Sequence, residues 1–202
     1  MKVAVLGASG RAGSEITREL ARRGHAVTAI ARKPEAIPAA EGVTAVKGDA
    51  SDPAALAALI RGSDAVISAL HFDVPAETLL DALKTADVPR LLVTGGAASL
   101  EVAPGVLLFD TPDFPAEWKP IARGGLDFLK TLRGETRIDW TFFSPAAFIE
   151  EGPRLGRYRI GGDQLVVDGN GDSRISFADY AIAMVDELEQ HNHSRARFTA
   201  AY

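Results

Sequence analysis

The sequence predicts an α/β fold with one doubly wound parallel sheet, and three observations carry that reading. Short apolar strands alternate with amphipathic helices, no hairpin signal interrupts the alternation up to Ser99, and small residues recur where successive strands end. Parallel strands joined through helices must cross over the sheet, and right-handed crossovers covering both faces give the doubly wound arrangement. The 202 residues suffice for one domain with a substantial core, and no composition shift divides them, so the expected domain spans 1–202.

The first strand is read in Val3, Ala4, Val5 and Leu6, apolar without alternation as in a strand covered on both faces. Gly7, Gly10 and Gly13 follow at three-residue spacing and lead into the helical pattern Glu15, Ile16, Leu20, Ala21. The first glycine lets the chain bend out of the strand, the second lets backbone approach a ligand, and the third lets the helix sit close on the sheet. The N–H groups at the helix start would then face a diphosphate. The helix ends near Gly24, and HAVTAIARKP reads as a second strand closing on Arg32, Lys33 and Pro34. About twenty residues beyond such a turn, an acidic residue suits a free ribose 2′-hydroxyl and a cation suits a 2′-phosphate. Arg32 and Lys33 hold that place, with Arg11 adding charge nearby, so the expected cofactor is NADP(H) in preference to NAD(H).

A third strand, Val43 to Val46, leads to Gly48-Asp49-Ala50, and Asp52 is placed to cap a helix starting at Pro53. SDAVISAL gives a fourth strand, PAETLLDALKTADV a helix, and PRLLVTGGAAS a fifth strand. Gly7, Ser68, Ala69, Gly95 and Gly96 leave room along the carboxyl edge of the sheet, where such folds bind ligands. From Glu101 to Pro120 the alternation stops. Four prolines punctuate this segment, which reads either as a stiffened loop carrying aromatics over the ligand edge or as a local hydrophobic cluster. A helix from Ile121 to Leu132 and a sixth strand, IDWTFFSPAAF, ending at Ser144 and Pro145, come next. RYRIGGDQLVVDGNGDSRIS carries hairpin and turn signals at Gly161-Gly162-Asp163 and Gly169-Asn170-Gly171, and the segments around 101–120 and 146–175 are expected to form a small substrate cap. Ser176 with Asp179 resembles a capping box before FADYAIAMVDELE, and RARFTAAY offers a terminal strand.

The net charge of −5 argues against direct binding to nucleic acid, and the absence of cysteine removes disulfides and thiolate chemistry. No apolar run approaches the ~20 residues that span a bilayer, so no membrane association and a cytoplasmic location are expected. His191 and His193 lack a carboxylate or third histidine at ligand spacing, and no metal site is expected. His71, just past the fourth strand, is a candidate proton donor, although a lone loop histidine is more often incidental.

Taken in order, GASGRAG, ARKP, KGDASD, VISAL, LLVTGG and DWTFFSPAAF resemble the atypical short-chain dehydrogenases/reductases. The likeness is greatest to the NmrA-like branch of NAD(P)H-binding proteins and NADH-flavin reductases, and more distant to the biliverdin reductase B group. It covers essentially the whole chain and implies a Rossmann-type fold with a small C-terminal substrate cap. It further implies that Gly7, Ser9, Gly10, Arg11, Ala12 and Gly13 hold the diphosphate, Arg32 and Lys33 the adenosine phosphate, and Asp49 and Ala50 the adenine edge. Ala69 and Leu70 would line the cofactor ribose, with Thr94, Gly95, Ser144, Pro145 and Ala146 beside the nicotinamide. The chain departs from the superfamily where a Tyr-x-x-x-Lys pair supplies the acid, reading Trp118-Lys119-Pro120-Ile121-Ala122 instead, and no catalytic residue is assigned.

Reduction of a ketone needs that acid, because charge builds on one oxygen. Hydride transfer to a flavin or quinone spreads the charge over a ring, so the protein mainly orients the partners. Phe109, Phe114, Trp118 and Phe148 are candidates for stacking on such a substrate, with ordinary core packing as the alternative. The chain therefore reads either as an NADPH-dependent reductase of flavins or quinones or as a non-catalytic dinucleotide sensor of the NmrA kind. Epimerase or dehydratase chemistry on a nucleotide sugar suffers from the same missing pair.

Overall fold

A computed structural model describes residues 1–202. The first half alternates strictly: β1 (Lys2–Leu6), α1 (Arg11–Arg22), β2 (Ala26–Ala31), β3 (Val43–Lys47), α2 (Pro53–Ile60), β4 (Ala65–Ser68), α3 (Ala76–Ala86) and β5 (Arg90–Thr94). The second half is more broken: β6 (Glu101–Ala103), β7 (Val106–Leu107), α4 (Lys119–Arg133), β8 (Asp139–Ser144), β9 (Phe148–Glu150), β10 (Arg159–Gly161), β11 (Arg174–Ser176), α5 (Phe177–Gln190) and β12 (Ala196–Ala201).

Eight strands form one sheet in the order β10-β12-β8-β5-β4-β1-β2-β3, parallel throughout except for β10, which runs antiparallel to β12. From β1 the chain steps outward through β2 to β3, then returns to β4 and steps the other way through β5 to β8. The reversal opens a crevice between the carboxyl ends of β1 and β4, where a doubly wound sheet takes its ligand.

The uninterrupted apolar runs follow from burial on two faces. Val3 and Val5 pack with Ile16 and Leu20 of α1 and with the apolar face of α5, while Ala4 and Leu6 face Leu56, Leu79 and Phe128 of α2, α3 and α4. No helix is long and apolar enough to cross a membrane.

Local signals act as expected at two helix starts. Asp52 Oδ1 accepts from the N–H of Ala54 (2.9 Å) and Ala55 (3.1 Å), with Pro53 in the first turn, where its missing N–H costs nothing. Ser176 Oγ accepts from Asp179 N–H at 3.0 Å, but only half a capping box forms. The Asp179 carboxylate accepts instead from the N–H groups of Leu155 (3.1 Å) and Gly156 (2.8 Å) and from the Tyr202 hydroxyl (2.7 Å). It thus ties the segment after β9 and the last residue of β12's continuation to the start of α5.

Three expectations change. The segment 101–120 is no plain loop: β6 and β7 pair antiparallel, and 3₁₀ turns occupy Leu108–Asp110 and Ala116–Trp118. Helix α4 begins at Lys119 rather than Ile121, because Pro120 in a first turn gives up a hydrogen bond that no helix start makes. The glycines at 161–162 and 169–171 do not close a hairpin. β10 adds to the open edge of β12, and β9 pairs in parallel with β11. Turn residues report a change of direction but not a partner, and the edge of β12 was the better one.

Candidate functional site

The turn between β1 and α1 opens at the carboxyl edge. Gly7 has φ +74°, and a methyl group on it would lie 2.6 Å from the carbonyl oxygen of Ala69 at the end of β4. A methyl on Gly13 would lie 2.1 Å from the Gly7 oxygen, so the third glycine seats the helix on the turn itself rather than on the sheet. Gly10 is extended (φ −77°), and a methyl there meets only the Gly7 oxygen, at 3.3 Å. Its backbone does not require glycine, and the missing side chain leaves the turn open to a ligand.

Gly10 N–H donates to Gly7 O (3.0 Å) and Ser14 N–H to Gly10 O (2.8 Å), while the N–H groups of Ser9, Arg11, Ala12 and Gly13 find no acceptor in the protein and no side chain caps the helix. Unpaired donors at the positive end of a helix dipole form a cradle for a diphosphate. The residues expected to hold it therefore fit such a group on backbone geometry alone.

At the adenosine end, Arg32 and Lys33 are both exposed just past β2. Asp49 Oδ1 accepts from Ser51 N–H (3.0 Å) and Ser51 Oγ–H (2.8 Å), and these bonds, with the nearby Arg32 charge, hold its carboxyl below the usual range. Ala50 is buried in the α2–α3 side of the core.

At the other end, Ala69 N–H donates to Leu6 O at 2.9 Å, and Leu70 Cδ2 lies 3.2 Å from where a Gly7 methyl would stand, so both adjoin the glycine turn. Gly95 N–H donates to Phe143 O at 2.7 Å, and a methyl on Gly95 would strike the Phe142 ring at 2.4 Å. This glycine is thus required by packing as well as by any ligand. Thr94 is half-buried beside Phe143 in the ladder, Pro145 leaves β8, and Ala146 is buried. Ser144 Oγ is fully buried with no hydrogen-bond partner. Thr17 Oγ1 and Trp140 Nε1 are buried without partners in the same way.

The three tyrosines are all engaged elsewhere. Tyr180 is buried between helix and sheet with its hydroxyl donating to Phe143 O at 2.7 Å, and burial pushes that hydroxyl far above its ordinary pKa, against the N–H of Gly95. Tyr158 donates to Asp186 and Tyr202 to Asp179. None stands as a free acid beside the strand ends.

The expected aromatics divide. Phe109 and Phe114 pair at 5.5 Å between centroids, with Lys119 Nζ and the Arg123 guanidinium 5.7 Å and 4.6 Å from the Phe109 ring centre. Trp118 stands about half exposed, and Phe148, on β9, is held instead by Arg174 at 5.1 Å. Lys119 is the first residue of α4 rather than a loop residue. His71 is exposed. The two late histidines do have carboxylates after all: His191 meets Asp139, and His193 Nδ1–H donates to Glu187 at 2.7 Å.

Two features escape a reading of the sequence. Phe72, after β4, stacks toward Phe128 (5.6 Å) and Phe142 (6.2 Å) and fills a notch in α4. A methyl on Gly125 would lie 2.8 Å from Phe72 Cε2, and one on Gly124 would lie 3.0 Å from its Cβ. Paired glycines inside a helix cost roughly 1 kcal/mol each, and that cost was the signal. The second feature is a cavity of about 330 Å³ beside the glycine turn, where Glu151 and Gly152 fold over α1. Arg11 and Arg18 line it, with the Arg11 guanidinium 5.1 Å over Phe177.

With this geometry in place, the relatives agree with it. The chain is 44% identical to the uncharacterised Bacillus subtilis protein YwnB over 98% of this chain and 97% of that one. It superimposes on a candidate epimerase from Bacteroides thetaiotaomicron with a TM-score of 0.95 and 43% identity, covering 100% of this chain and 96% of the other. A candidate NADH-flavin reductase from Streptococcus pneumoniae gives 0.88 and 37%, over 100% and 99%. The model of the NAD(P)H-binding family matches residues 7–188, from the glycine turn to the last turn of α5. The chain belongs to the NAD(P)H-binding family.

Proposed function

We propose that the protein is an NADPH-dependent reductase whose acceptor is a conjugated ring, a flavin or a quinone. The observation that carries this reading is the row of unpaired N–H donors at the glycine turn, taken together with three tyrosines that are all engaged elsewhere. Ketone reduction and sugar epimerisation both need a free acid; transfer to a conjugated ring does not. The pneumococcal relative's name points to the same acceptor class.

A bound nicotinamide cofactor supplies the hydride. The N–H groups of Ser9, Arg11, Ala12 and Gly13 bind its diphosphate, and Arg32 and Lys33 favour a 2′-phosphate. Thr94 and the backbone at Gly95 flank the ring, and Phe109 and Phe114 bound the acceptor side. The reduced cofactor is supplied in the cytoplasm, which is where this reading puts the protein.

Two measurements test the proposal. NADPH oxidation is expected with flavins and quinones and not with simple ketones; tight dinucleotide binding without any turnover would point to a sensor instead. Calorimetric titration is expected to show NADP⁺ binding about tenfold or more tighter than NAD⁺, a preference that shrinks in Arg32→Ala. Equal affinities in the wild type would remove Arg32 from the site.

A further inference from the structure

We propose that Lys119 and Arg123 form an anion handle for the acceptor, selecting a conjugated ring that carries a phosphate, as flavin mononucleotide does, over the same ring without one. The inference rests on the reductase reading and narrows its acceptor class.

Both cations converge on one ring, with Lys119 Nζ 5.7 Å and the Arg123 guanidinium 4.6 Å from the centre of Phe109. Neither has a carboxylate within 4.0 Å, although Asp110, Asp113, Glu117 and Asp127 are close in sequence. On α1, by contrast, Arg18, Arg22 and Arg23 each meet a glutamate of their own helix. The α4 pair is spaced four residues apart in the first turns of its helix, where like charges repel and the helix dipole opposes a cation. These two residues work against the stability of α4. Two cations at a helix start depart from a local rule, and such departures gather at binding sites.

Their position agrees. Helix α4 runs back to the amino edge where β8 begins, so its first turns lie at the carboxyl edge. Gly96, after β5, and Gly124, next to Arg123, both lie against Phe72, which follows β4, so the handle stands at the same edge as the glycine turn. Phe109 is 8% exposed and braced by Phe114, so it gives both cations a fixed plate. A ring face attracts the cations yet leaves their N–H groups free for oxygen. A compact ammonium beside a planar guanidinium fork suits the several oxygens of a phosphate, and a neutral quinone or an unphosphorylated flavin gains nothing from it.

The test compares flavin mononucleotide with riboflavin, which share the reacting ring. With NADPH as donor, kcat/KM is expected to favour flavin mononucleotide about tenfold or more, mostly through KM. In Lys119→Ala/Arg123→Ala that preference should fall close to unity, and Lys119→Arg/Arg123→Lys should restore much of it. Both residues are exposed, and an unchanged melting curve and NADP⁺ affinity would show that the variant is folded. If neither flavin is reduced, the reductase reading fails, and titration of flavin fluorescence decides the handle separately: a phosphate preference in binding that the double alanine abolishes supports it. Equal handling of the two flavins by the wild type, in turnover or in binding, or a preference that survives the double substitution, overturns it.

Discussion

The two edges of the sheet are built on opposite principles. At the amino edge, where β5 and β8 begin and α5 ends, the charged groups are matched with partners, although the Trp140 Nε1–H is not. Buried Arg90 donates to Asp139 (3.1 Å) and Glu187 (2.9 Å), His193 N–H donates to Glu187 (2.9 Å), the Thr141 hydroxyl to His193 O (2.6 Å), and Ser194 to Asp139 (2.7 Å). At the carboxyl edge, the N–H groups of the glycine turn, the Ser144 hydroxyl and the two cations of α4 have no such partners. One edge spends its polar groups on holding the fold; the other leaves donors free, as the proposed dinucleotide site requires. A substitution at the first should therefore cost stability without affinity, and at the second affinity without stability.

The largest effect is expected from Glu187→Ala. Removing one partner of a buried ion pair costs about 3–5 kcal/mol, and the lower end applies because Asp139 still faces Arg90. Urea unfolding should show that loss while calorimetry finds dinucleotide affinity unchanged in the folded protein. A parallel loss of affinity would mean that the edges are coupled.

Gly10→Ala should do the reverse. The new methyl meets only the Gly7 oxygen at 3.3 Å, so unfolding should change by under about 1 kcal/mol, whereas dinucleotide affinity should fall about tenfold or more as the methyl enters the ligand's approach. An unaltered dissociation constant would move the diphosphate away from this turn.

A third effect is one of acidity, and it is small only below the folded pKa. Glu135, in the turn before β8, accepts from Lys84 (2.6 Å) and from the N–H groups of Arg137 and Ile138. Burial alone would raise its pKa, but these donors outweigh it and hold the carboxyl at about 2 against an ordinary 4.5. A carboxyl lowered on folding stabilises the native state above its unfolded pKa and loses that contribution as pH falls toward the folded one. Wild type should therefore exceed Glu135→Gln in stability by a constant margin from neutral pH down to about 5, and the margin should close between 4.5 and 2. Melting temperatures of the pair across that range would check it; a margin that grows on acidification would reverse the sign of the argument.

The sequence makes the carboxyl edge more legible than the amino edge, for a physical reason. Gly7, Gly10, Gly13 and the twin-faced apolar strands are local devices whose cause lies within a few residues, and a local pattern can be read without coordinates. His191, His193, Asp139 and Glu187 are joined by the fold, with Asp139 52 residues from His191 along the chain, so no spacing announces them. β10 is three residues long and has no period to read; only the free edge of β12 explains its pairing. Pro120 illustrates the opposite error, a strong local signal assigned to the loop before a helix that it in fact begins. The aromatic residues fall between, since Phe109 and Phe114 lie five apart and do pair, while Phe148 was matched with them by type alone and belongs to Arg174.

The notch that receives Phe72 has an implication for how the sequence can drift. The ring after β4 and the glycines at 124 and 125 of α4 fill a single volume from opposite sides, so neither side can change alone: a methyl on Gly125 needs a smaller residue at 72, and a smaller residue at 72 leaves a void until α4 grows a side chain. Substitutions tolerated at these three positions should therefore come in pairs. Phe72 thereby couples the loop that follows Ala69 and Leu70 to the helix that carries Lys119 and Arg123, so that a shift of one moves the other.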